Sequence, residues 1–152
     1  MPDTAAAVAR WGRAVYRLAC TQVHSRTDAD DIFQEVFLRY HRSAPDFESE
    51  THEKAWLLRV TVNCCRTHLM APWRHRTVPL EDVYTCQVPE ESAVAEALQA
   101  LSAGDRAVIH LFYFEGYRTE EIAGIMGLRP ASVRSRLTRA RQRLRVLLKE
   151  EL

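Results

Sequence analysis

Residues 117–149 read YRTEEIAGIMGLRPASVRSRLTRARQRLRVLLK, and this stretch decides the fold. Thr119 is placed to cap a helix, with Glu120 and Glu121 in the first turn, where the helix dipole favours negative charge. Ile122, Ile125 and Met126 repeat at helical spacing, and Gly127 supplies the left-handed residue that ends the helix. Pro130 suits the first turn of a second helix, where its missing N–H is no loss. A short helix, a glycine turn and a longer basic helix make the helix-turn-helix pattern.

The second helix resolves into faces when wound at about 100° per residue. Val133, Leu137, Ala140, Leu144 and Leu147 form a stripe that must be buried, and Ser135, Thr138, Arg139 and Gln142 point the opposite way. Arg134, Arg136, Arg141 and Arg143 lie on the flanks. That arrangement suits a major groove, with short polar groups and one arginine at base edges and flanking guanidiniums at phosphates. Between Arg129 and Lys149 there are eight Lys/Arg and no carboxylate, although the whole chain carries a net charge of only +1. The near-neutral total therefore conceals a strongly basic end. The bland alternative is a solvated helix kept soluble by its arginines. It lacks acidic i,i+4 partners, and the capped helix before it argues for nucleic-acid binding.

At 152 residues the chain can form one medium domain or two small ones. With 47% hydrophobic and 27% charged residues it reads as a folded protein, not a disordered tail. No apolar run reaches the roughly 18 residues of a membrane span, which argues against membrane insertion. The N-terminal MPDTAAAVARWGRAVYRLAC lacks the basic start and apolar core of a signal peptide, so a cytoplasmic protein is expected. Cys20, Cys64, Cys65 and Cys86 have no paired-ligand spacing and read as reduced thiols.

Residues 5–24 carry Val8, Trp11, Val15, Leu18 and Ala19 on one helical stripe. Thr27 and Asp30 resemble a capping arrangement for a helix over 28–42, whose buried side is Ile32, Phe33, Val36, Phe37 and Tyr40. Asp31, Gln34, Glu35, Leu38 and Arg39 remain for its other face. The segment SAPDFESET (43–51) breaks the pattern, and a third helix over about 52–70 uses Trp56, Leu57, Val60 and Cys64. Its Val60-Thr61-Val62 centre is poor in helix propensity and must be held by burial. Residues 71–90 hold three prolines and read as a linker. Helices resume at 91–101 and, capped by Ser102, at 103–115 with Val108, Ile109, Leu111, Phe112 and Phe114. Phe112, Tyr113, Phe114 and Tyr117 read as core rather than as a stacking platform. The fold class is all-α: two small helical domains (1–71 and 91–152) joined by a linker (72–90), the second a four-helix domain containing the helix-turn-helix.

The chain resembles the extracytoplasmic-function group of bacterial sigma factors, the smallest sigma-70 relatives. The matching stretches are DADDIFQEVFLRYHR (28–42), AWLLRVTVNCCRTHL (55–69), LSAGDRAVIHLFYFEGYRTEEIAGIMGL (101–128) and ASVRSRLTRARQRLRVLL (131–148). They lie in the family's order and spacing and span most of the chain. The resemblance implies that residues 1–71 bind polymerase and melt the promoter, and that residues 91–152 bind DNA. It implies that Asp31, Gln34 and Glu35, with neighbouring Arg39, meet the core RNA polymerase. It implies that the 43–53 loop and the start of the third helix, including Phe47 and Trp56, take a flipped-out base of the −10 element. Asn63 would read that base, and Arg59 and Arg66 would hold the strand's phosphates. An asparagine buried against neighbouring backbone is the alternative at position 63. Ser135, Thr138 and Arg139 would occupy the −35 reading positions, with Arg134, Arg136 and Gln142 around them. The loop also carries Asp46, Glu48, Glu50 and Glu53, of which one could accept from a cytosine amino group while the rest repel phosphate. Melting is therefore expected to depend on polymerase, and isolated binding to be weak and salt-sensitive. The expected partners are core RNA polymerase, promoter DNA and an anti-sigma factor, with no cofactor.

Two other classes remain open at this point. One is a stand-alone helix-turn-helix regulator. The other is a metal or redox sensor in which Cys20/His24 and Cys64/His68, each at i,i+4, meet as one site. An enzyme is not expected, since no phosphate loop, nucleophile elbow or paired-carboxylate site is present.

Overall fold

Asp3 opens the first helix by accepting a hydrogen bond from the Ala6 amide, and α1 runs over Thr4–Gln22. Its buried side chains include Ala7, Val15, Leu18 and Ala19, small enough on one edge for close approach of its neighbours. A short turn leads to α2 (Arg26–Ser43) and an extended loop to α3 (Glu50–Met70). The cap of α2 is Ser25, not Thr27: its hydroxyl accepts from the Asp28 amide at 3.0 Å, and Thr27 falls inside the first turn. Ser25 is buried in extended backbone, the conformation an N-cap needs.

The three helices pack pairwise around Val15, Ala19, Ile32, Val36, Tyr40, Leu57 and Cys65. The weak helix formers of α3 are held by this burial. Thr61 is fully buried, and its hydroxyl donates to the Leu57 carbonyl at 2.7 Å, so this hydroxyl is satisfied.

This computed structural model describes residues 2–70 and 92–151, which fall into two separate units. The expected linker, with Trp73 and Cys86, lies outside the described residues. All regular elements among the described residues are helical, as expected, and none is long and apolar enough to cross a membrane.

In the second unit, α4 (Ser92–Gln99) leads to α5 (Ala103–Ile109), capped by Ser102, whose hydroxyl accepts from the Asp105 amide at 3.2 Å. The helical run expected over 103–115 is present through Phe114, but it is not α-helical throughout. The chain widens into a π turn at His110–Phe114, with the Glu115 amide bonding back to the His110 carbonyl at 3.1 Å. This turn winds less per residue than an α-helix, so the apolar stripe drifts off the core. Leu111 stays fully buried and Tyr117 is buried, but Tyr113 and Phe114 are 56% and 65% exposed, against the expectation that all these aromatics are core.

Helix α6 (Thr119–Met126) is likewise not capped by Thr119, which is its first residue. Glu121 instead reaches back to accept from the Arg118 amide at 2.9 Å, satisfying one of the open donors at the helix start. Gly127 ends α6 in the left-handed region at φ 67°, ψ 37°, and α7 (Pro130–Glu151) begins at Pro130. Val133, Leu137 and Ala140 are buried and Leu144 and Leu147 half-buried, which is the stripe expected.

Candidate nucleic-acid and polymerase interfaces

The first surface is built on α3. One side of this helix is sunk into the core, and Arg59, Asn63 and Arg66 stand exposed on the other, at spacings that align them along one face. Asn63 is therefore not buried against backbone. Its side-chain amide faces solvent, while its backbone carbonyl accepts from the Thr67 hydroxyl at 3.1 Å.

At the start of α3, Phe47 and Trp56 are half-buried in an aromatic group centred on Tyr40. Phe47 lies parallel to the Tyr40 ring, and Trp56 meets both rings edge-on, with centroids 5.8–6.1 Å apart. A cavity of about 560 Å³ opens beside them, lined by Arg10, Tyr40, Asp46, Phe47, Glu50 and Glu53 among others.

Glu53 corrects the acidic-surface expectation. It is 7% exposed and does not present charge to a nucleic acid. Its Oε1 accepts from Trp11 Nε1 at 2.7 Å and from Arg10 Nη2 at 3.0 Å, and its Oε2 accepts from the Tyr40 hydroxyl at 2.8 Å. Burial pushes this carboxyl up, but the hydrogen bonds from Tyr40, Trp11 and Arg10 outweigh burial and hold it below its ordinary value. Burial, reinforced by the Glu53 carboxylate, pushes the Tyr40 hydroxyl up to about 12. One carboxylate thus ties α1, α2 and α3 together beneath the cavity. The helical period carried a signal for it, since Glu53, Trp56, Leu57, Val60 and Cys64 follow the i, i+3, i+4, i+7 pattern.

The second surface is on α2. Asp31 and Gln34 are exposed, as is Leu38 at 46%. Glu35 and Arg39 are half-buried and pair with each other at 3.0 Å, an i,i+4 bridge of small energetic consequence at a surface.

The third surface is on α7. Arg134, Ser135, Thr138, Arg139 and Gln142 are all exposed. Arg136 is not a free flanking cation: its Nη1 lies 3.4 Å from Asp105 Oδ1, and Arg139 Nη2 lies 3.9 Å from the same oxygen. Arg141 also leaves the flank, donating through Nε to the Tyr113 hydroxyl at 2.7 Å and lying over the Phe112 and Tyr113 rings.

The Cys/His pairs do not assemble into one site. His68 is buried and turns Nε2 toward Asp28 at 3.3 Å. Among the described residues, no three His, Cys, Asp or Glu side chains gather as a metal site.

Residues 7–75 match the family model for sigma-70 region 2, and residues 91–144 match that for sigma-70 region 4. The chain is 38% identical over 144 residues to the ECF RNA polymerase sigma factor SigM of Mycobacterium tuberculosis, covering 91% of this chain and 74% of that one. The chain belongs to the ECF group of the sigma-70 family. This sigma factor is also 35% identical over 158 residues to SigE of Mycolicibacterium smegmatis, covering 95% of its own length and 61% of the relative's. Its fold matches that of CnrH, solved in complex with the cytosolic domain of CnrY, with a TM-score of 0.74 at 30% identity over 98% of this chain and 89% of CnrH. It also matches RpoE of Bartonella quintana, with a TM-score of 0.79 at 24% identity over 98% of each chain, a likeness of fold alone. As a sigma factor it directs RNA polymerase to promoters. It is an initiation factor, not an enzyme.

Proposed function

We propose that the sigma factor grips a promoter at two places through the residues described above. Asn63 reads an unpaired −10 base, the Phe47–Trp56 aromatic wall supports that base, and Arg59 and Arg66 hold the strand. On α7, Ser135, Thr138, Arg139 and Gln142 meet base edges of the −35 duplex, and Arg134 meets phosphate. Arg136 acts here through its bridge to Asp105 rather than as a second free phosphate ligand. Asp31, Gln34 and Glu35, with Arg39 and the exposed Leu38, form the polymerase-binding face of α2. Residues 72–90 join the two DNA-binding parts. The protein works in the cytoplasm, where an anti-sigma factor holds it inactive. The complex of the similar CnrH with the cytosolic domain of CnrY supports a protein partner of that kind.

The observation that carries the −10 reading is the exposure of Asn63 between Arg59 and Arg66, on a helix whose opposite side is core. Extruding a base costs a few kcal/mol, and a neutral donor–acceptor amide flanked by cations offsets that cost without excluding the base's own polar edge. The test is reconstituted transcription with core polymerase. Asn63→Ala should assemble with polymerase normally but open promoters more slowly, and a pre-melted bubble should restore its rate. An opening rate equal to wild type on duplex DNA would overturn the assignment.

A further inference from the structure

We infer that Asp105 is a positioning residue for −35 recognition: with Gly104 it seats Arg136 and restrains Arg139, and this sets the base preference of α7. The inference rests on the −35 reading proposed for that helix.

Two observations on the placement of Arg136 carry it. A carboxylate near a DNA-reading helix repels phosphate, yet Asp105 Oδ1 lies 3.4 Å from Arg136 Nη1 and 3.9 Å from Arg139 Nη2. The carboxylate is 17% exposed and Arg136 33%, whereas Arg139 remains 66% exposed. The second observation is Gly104, where a Cβ would lie 2.6 Å from Arg136 Nη1 and would force the guanidinium to move. The start of α5 thus offers both the charge that draws Arg136 in and the space that admits it.

Arg136 and Arg139 stand three residues apart on α7, on neighbouring parts of one face. A guanidinium has donors along more than one edge, so an acceptor on one edge leaves the others available. At 3.9 Å the Asp105 carboxylate makes no hydrogen bond to Arg139 but biases its guanidinium electrostatically, and that bias favours paired acceptors on a base over a phosphate within reach. Asp105 also withdraws Arg136 from the phosphates. Both effects lower general affinity and raise discrimination.

The experiment uses the full chain with core polymerase and duplexes selected by that holoenzyme from a library randomised across the −35 segment. Asp105→Asn and Gly104→Ala are compared with wild type for base preference, for the ratio of selected to scrambled binding, and for salt dependence. Each variant should lower that ratio by about fivefold, the low end of one bidentate base contact. The salt slope of Asp105→Asn should steepen by roughly 0.9 as Arg136 gains a phosphate. Gly104→Ala keeps the carboxylate and tests the seat alone. Equal loss on selected and scrambled duplexes, with slope and base preference unchanged, would reduce Asp105 to a structural part and overturn the inference. Arg139→Ala separates the two proposals: if it leaves base preference untouched, the −35 reading itself fails. If it alters preference while Asp105→Asn and Gly104→Ala do not, only the positioning role falls.

Discussion

Glu53→Ala should destabilise the first unit more than any surface change in it, because the carboxylate is the common acceptor for three helices. Truncation strands the Tyr40 hydroxyl, which is 3% exposed, and leaves the half-buried Trp11 indole without its 2.7 Å acceptor. An unsatisfied buried donor costs about 1–3 kcal/mol, so about 2 for Tyr40 and 1 for Trp11 gives a loss near 3 kcal/mol. Arg10 rehydrates and adds nothing to that sum. For a unit of this size the loss lowers Tm by roughly 12–24 °C, measured by near-ultraviolet circular dichroism and tryptophan fluorescence. Glu53→Gln keeps one acceptor oxygen and should lose about half as much.

The pH dependence has a definite sign. Glu53 sits below its ordinary value of 4.5 in the folded chain. Its contribution is therefore fully present above 4.5 and is lost as pH falls through the lower folded value. Glu53→Gln should show less acid loss than wild type. An alanine variant melting within about 3 °C of wild type would refute the assignment of this hub.

Two further outcomes test the fold and its chemistry. Gly127→Ala meets no atom within 4 Å of its new Cβ, so only the left-handed backbone opposes it. The cost should be about 1 kcal/mol in thermal unfolding, with Gly127→Asn costing less. Burial pushes the fully buried Cys65 thiol up to about 12, so iodoacetamide near pH 8 should leave it unmodified in peptide mass spectra until denaturant is added. Labelling at the rate of an unfolded thiol would contradict that burial.

Much of the architecture was legible in periodicity and punctuation. The stripe Val133–Leu137–Ala140, the Gly127 stop and the Pro130 start are local consequences of helix geometry, and each stands where the sequence puts it. The roles of Arg59, Asn63 and Arg66 came from the family resemblance, which left a buried Asn63 open, and the structure exposes all three side chains.

What the sequence could not determine are relations set by a neighbouring element. Capping went to Ser25 over Thr27, and Glu121 closed the start of α6, because several adjacent residues can satisfy the same open amides. The π turn moved Tyr113 and Phe114 outward, a change in winding that a fixed angle per residue does not foresee. Glu53 looked like one more loop carboxylate until Arg10, Trp11 and Tyr40 arrived from two other helices to hold its charge in the interior. Arg136 read only as a flanking cation, and its ion pair with Asp105, thirty-one residues earlier, is visible only in the folded chain. Helix formation is a local matter of backbone and apolar spacing, so the sequence alone decides it. The burial of a charge depends on partners distant in the chain, and only the packed structure brings them within hydrogen-bonding distance.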